Sequence, residues 1–200
     1  VRGTAVAKEA AEDCGGEVLH MYVDGMWVKK DGAATVEALQ PLLEEIARLL
    51  VEEKGFRRED LTPRVPIDID LGDKQARVRL DLIVHFDERI VMLIKFAPGS
   101  LTTRHQVAIA ASRLLAPYQI PFSLVTNGKD ADILNNYTGE GIEIGLDRIF
   151  SRKALETRIR SCDARPVSRH HREMAARILY AYEVDGRCPC DDSVCEYEHR

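Results

Sequence analysis

The chain has 200 residues, 45% of them hydrophobic and 30% charged, with a formal net charge of -5. That balance excludes wholesale disorder, and no apolar run approaches the roughly 18–20 residues needed to cross a bilayer. The negative balance also argues against a chain that coats nucleic acid through bulk positive charge. Five cysteines, three of them near the C-terminus, do not resemble a secreted disulfide framework, and no apolar signal-peptide core opens the sequence. The expected location is cytoplasmic. Segment 151–187 holds nine basic and five acidic side chains, the largest basic surplus along the chain. It reads either as a nucleic-acid contact or as a solvated helix face.

Residues 18–28 predict a hairpin around Asp24-Gly25, with Trp27 on the return strand. A helix is expected from Thr35, its N-cap, to Lys54, because Leu39, Leu42, Leu43, Ile46, Leu49 and Leu50 recur at spacings of three and four. Gly55 ends it. Three strands follow. In 64–71, Val65, Ile67, Ile69 and Leu71 alternate with Asp68 and Asp70. In 76–85, Val78, Leu80, Leu82 and Val84 alternate with Arg77, Arg79 and Asp81. Residues 89–96 are almost wholly apolar, the pattern of a central strand. A helix then runs from Thr102 or Thr103 to Leu115, followed by strands at 121–126 and 131–134. Ser151 caps a helix to Arg160, and Ser168 opens another to Tyr182. This order implies an α/β (α+β) fold, a mixed sheet flanked by helices. The expected division is an N-terminal segment (1–30), a core (31–155) and a helical extension with a Cys-rich tail (156–200).

The order of elements, with Asp81 in the second strand, resembles the restriction-endonuclease-like PD-(D/E)xK superfamily. More narrowly, it resembles the N-terminal domain of type I restriction enzyme R subunits. The resemblance covers residues 27–155 and rests on VPIDIDLGDKQARVRLDLIVHF, the KFAPG stop, the helix near Gln106, IPFSLVTNG with DADIL, and LDRIFSRKAL. It implies a site in which an Asp on one strand and an acid-x-Lys on the next face one cleft and hold Mg²⁺. Asp81 matches the first acid, and Gln106 matches the family's Gln after the second strand. Aligned on Ala97-Pro98-Gly99, however, Ile94 stands for the second acid and Phe96 for the Lys. Lys95 lies between them and turns inward only if the strand is bulged. Relocated acids would come from Asp68, Asp70, Glu37, Glu44 or Glu45.

The resemblance therefore implies a module associated with double-stranded DNA and having weak or no hydrolytic activity. One alternative is an active Mg²⁺-dependent endonuclease with relocated residues. Another is a protein-interaction subunit to which DNA is irrelevant. In the tail, Cys188, Cys190, Cys195 and His199 read either as free thiols or an adventitious disulfide or as a set that suits Zn²⁺. With Cys14 in place of His199, four thiolates would instead suit an iron–sulfur cluster, as in the iron-staple nucleases that the pattern resembles. His170 with Glu173, and the lone His85 and His105, are further polar candidates.

Overall fold

The computed structural model describes residues 17–22, 25–29, 36–72, 74–96, 100–184 and 194–196, with side-chain surroundings for those from 42 to 184. The chain divides into two compact units, the boundary falling at Pro41. In the first, β1 (Glu17–Tyr22) pairs antiparallel with β2 (Gly25–Lys29), the expected hairpin. Helix α1 (Val36–Glu52) follows and stops where Gly55 adopts a φ of 74°, which lets the Phe56 N–H reach back to the Leu50 carbonyl.

The second unit is built on a mixed sheet whose strands lie in the order β3 to β8. These are β3 (Leu61–Asp70), β4 (Gln75–Phe86), β5 (Arg89–Phe96), β6 (Phe122–Thr126), β7 (Ala131–Asn135) and β8 (Glu140–Ile144). All neighbours are antiparallel except β5 and β6, which are parallel. A parallel pair needs a crossover, and α2 (His105–Leu114) supplies it. A short β9 (Val194–Glu196) pairs with the start of β4. Helix α3 (Arg152–Ile159) begins at Ser151, which accepts from the Ala154 N–H, and α4 (Arg169–Glu183) begins at Ser168, which accepts from the His171 N–H.

Two apolar layers sandwich the sheet. On one face, Ile46 and Leu50 of α1 and Leu155 of α3 pack with Leu82, Val84, Met92, Ile94, Phe96, Leu124 and Ile133. On the other, Val107 and Ala111 of α2 and Ala176 and Leu179 of α4 pack with Ile83 and Leu93. The α/β expectation and the central position of β5 hold. β8 and β9 went unforeseen. Among the described residues, no helix is long and apolar enough to cross a membrane.

Candidate functional site

Strands β4 and β5 form a hairpin whose register changes within it. Phe86 pairs with Arg89 and His85 with Ile90, but Val84 pairs with Met92, so Val91 is an extra residue on β5. This is a β-bulge, and it moves every later pair by one position. Beyond it Leu82 pairs with Ile94 and Ile83 with Leu93, which brings Lys95 opposite Asp81. Without the bulge Asp81 would stand opposite Ile94.

The contacts follow from that register. The Lys95 ammonium lies 3.6 Å from Asp81 Oδ2 and 3.0 Å from Glu183 Oε2, where α4 ends. Asp81 Oδ2 also accepts from the Phe96 backbone N–H at 2.8 Å. Lys95 and Glu183 are almost wholly enclosed, with side-chain exposures of 5% and 1%, whereas Asp81 keeps 22%. The cluster is thus an ammonium between two carboxylates, open to solvent mainly through Asp81.

This corrects the sequence alignment of the site. Ile94 and Phe96 do not line a cleft beside Asp81. They lie in the core on the opposite face, with Leu82 and Val84. The position two before Lys95, where an acid-x-Lys pattern sets its acid, is Leu93, fully buried. The expectation that Asp81 has no second carboxylate near it fails as well, because Glu183 supplies one. Sequence reasoning missed Glu183. It is 88 residues from Lys95, and as a late polar residue on an amphipathic helix it carried no distinguishing signal.

The other candidates lie elsewhere. Asp68 is held by Arg77, its partner across the strands, through bonds of 2.6 and 3.0 Å, and Asp70 accepts from Gly72 and Gln75. Gln106 is exposed on the first turn of α2. Glu44 and Glu45 are exposed on α1, and the side chain of Glu37 lies outside the described residues. His105 Nε2 meets Asp132 Oδ2 at 2.7 Å, and His85 is held between the Thr62 hydroxyl and the Asp87 carbonyl. Glu173 pairs with Arg169 across one helical turn. Cys14, Cys188, Cys190 and His199 lie outside the described residues, and of Cys195 only the backbone, in β9, is described. A cleft of about 520 Å³ opens between the β4–β5 turn and α3, lined by Phe86, Arg89, Tyr118, Ile159 and Arg160. Neither Asp81 nor Lys95 borders it.

Nuclease chemistry of the kind the family resemblance implies would place Mg²⁺ beside these carboxylates. Mg²⁺ takes oxygen ligands and keeps several waters. Here the space between the two carboxylates is held by an ammonium, and one carboxylate is closed to water. Among the described residues, no group of three or more His, Cys, Asp or Glu side chains is placed to hold a metal ion. In this arrangement the Lys95 ammonium takes the place between the two carboxylates that a divalent cation would need.

Five of the nine basic side chains of 151–187 are tied within the fold. Arg152 pairs with Asp60 and Glu156, Arg158 with Glu143, Arg165 with Asp163 and Arg169 with Glu173. Arg172 donates to the carbonyls of Arg113, Leu114 and Ala116 at the end of α2.

No curated protein and no solved structure matches this chain. The family model for the type I restriction enzyme R protein N terminus matches residues 44–149, a span running from α1 through the sheet to the approach to α3. On that match, over more than half its length, the chain belongs to the family of type I restriction enzyme R protein N-terminal domains.

Proposed function

We propose that this chain is a DNA-associated module of the R-subunit N-terminal family in which phosphodiester hydrolysis is weak or absent. The observation that carries this reading is the Lys95 ammonium seated between Asp81 and Glu183. In two-carboxylate nuclease chemistry a divalent cation activates water and stabilises the departing oxygen. In this chain the compensating charge is a covalently tethered ammonium, which can donate hydrogen bonds but has no coordination positions to offer a water. The buried Leu93 removes the other acid. Loss of one transition-state-stabilising group costs about 10²–10³ in rate, so loss of a metal and an acid together leaves little.

The test is incubation of the full chain with supercoiled and linear duplex DNA in Mg²⁺ and in Mn²⁺, alongside Asp81→Asn. The expected result is no cleavage that the substitution abolishes, together with duplex binding that weakens as salt rises. A second reading has one observation in its favour, the carboxylate of Glu183 beside Lys95. Under it Glu183 is a relocated acid and the protein a nuclease. Metal-dependent cleavage lost in both Asp81→Asn and Glu183→Gln would establish that reading over the first.

A further inference from the structure

The run of strands from β3 to β8 ends in two edges, and the sequence treats them differently. An edge strand offers unpaired N–H and C=O groups to any strand that lies alongside it. On β3, Pro63 and Pro66 have no N–H to offer, and Arg64 between them adopts a φ of 54° and is skipped in the pairing with β4. Prolines and a break in extension are how natural sheets blunt an edge. This edge is closed to another strand.

β8 is different. Its residues, Glu140-Gly141-Ile142-Glu143-Ile144, include neither proline nor lysine, and among the described residues no strand lies on its outer side. Its one irregularity is Ile142, which is skipped in the pairing with β7. The Gly145 N–H donates inward to the Ala131 carbonyl at 2.7 Å. Backbone groups alternate in direction along an antiparallel strand, so the N–H and C=O of Ile144 point to the open edge. Ile144 is 71% exposed and Ile142 37%. The acids nearby are held by their own chain. Glu143 lies 3.9 Å from Arg158, and Asp132, opposite Ile144 on β7, meets His105 at 2.7 Å.

We infer that β8 is the contact between two copies of this chain, joined edge to edge about a two-fold axis so that their sheets run on as one. The two edges decide the occupant. With β3 closed, pairing of β8 with β3 of another copy, which would grow a filament, is blocked. β8 on β8 is an isologous contact that closes at two. The strand also suits its own copy. Antiparallel pairing centred on Ile142 sets Ile142 against Ile142, Glu143 against Gly141 and Glu140 against Ile144. No carboxylate then faces a carboxylate, the arrangement that would oppose pairing, and the exposed isoleucines of both copies gather about the axis. The inference stands apart from the DNA-associated reading, since nothing in it involves the Lys95 cluster.

The experiment is sedimentation equilibrium of the full chain from about 5 to about 500 μM, a range suited to the small area that two short strands bury. The weight-average mass should rise from 22.5 kDa toward twice that value and level off there. Ile144→Lys places an ammonium at the open edge. It should hold the mass at 22.5 kDa throughout, with Tm unchanged. Met174→Lys, at a position 39% exposed on α4, is the control and should associate as the wild type does. A second readout needs no substitution. Amide hydrogen exchange of the wild type should slow across 140–144, and not across 61–70, as concentration rises through the same range. A mass fixed at 22.5 kDa, a mass that climbs past the dimer, association that survives Ile144→Lys, or exchange at 140–144 indifferent to concentration would each overturn the inference.

Discussion

Lys95 and Glu183 make an ion pair that is nearly sealed from water, and such pairs are defined by what happens when one partner goes. Replacing Lys95 by Met leaves Glu183 buried beside Asp81 without its cation. The expected loss is about 3–5 kcal/mol by urea unfolding, and the Lys95→Met/Glu183→Gln double variant should recover a large part of it. A single-variant loss below about 1 kcal/mol would mean that water reaches the pair. Ile94 gives the complementary test. As a cleft-lining residue it would tolerate truncation, but it is fully buried among Leu82, Val84 and Phe122, so Ile94→Ala should cost about 2–5 kcal/mol. Asp81 was readable as a site residue because the order of elements resembles the family's, which sets an acid on this strand. Within 76–85 it simply takes the polar side of the alternation, as Arg77 and Arg79 do. Lys95 was readable only conditionally. Its face depends on whether an extra residue sits in the hairpin, and no side chain in 89–96 announces a bulge at Val91. Glu183 was not readable, since the contact that matters joins positions with no periodic relation.

The helices and the strands β3 and β4 followed from periodicity, and β5 and β6 from short apolar runs bounded by stops, as Gly55 bounds α1. The two missed strands lack that contrast. β8 is polar and largely exposed, with Ile144 at 71% exposure on the sheet edge, and β9 is only three residues long. Between elements, Asp60 ties the turn before β3 to α3. It accepts from Arg152 Nε at 2.8 Å and from the Arg57 N–H at 2.9 Å, and Arg152 also lies 4.8 Å from the Phe86 ring. Burial alone would push the Asp60 carboxyl up, but the Arg152 and Arg57 hydrogen bonds and charges together hold it below its ordinary value. Its folded pKa is therefore lower than its unfolded one. The stabilisation is present above the unfolded value of about 4 and disappears as pH falls through the folded value. Arg152→Ala should lose about 2–3 kcal/mol at pH 7, and the gap from wild type should narrow as unfolding is followed down toward pH 3. A gap that stays constant with pH would show that Arg152 acts through its packing on Phe86 instead.

The sheet is covered on both faces, and its two sides differ in what they do. The α1–α3 side is a plain apolar core. The α2–α4 side carries the same kind of core but ends in the Lys95 cluster, so the polar chemistry and the C-terminal helix arrive together. Fold class and family were legible because they depend on the order of elements between α1 and the end of β7. The electrostatics of the site were not, because half of it is delivered by a helix beyond that stretch.

The Arg172 guanidinium reaches three carbonyls at the end of α2, and Glu183 reaches Lys95 from the same helix. The family match stops at 149, twenty residues short of where α4 begins. A recombinant fragment trimmed to that boundary would take cover from both sides of the sheet, removing Phe150 and Leu155 from one core and Ala176 and Leu179 from the other, and would leave an ammonium bereft of its nearest counter-ion. Such a fragment should bind a hydrophobic dye such as ANS and sediment as aggregates, whereas one extended through Val184 should stay monodisperse. For this chain, the boundary useful to an expression plasmid lies some thirty-five residues past the one that recognises its ancestry.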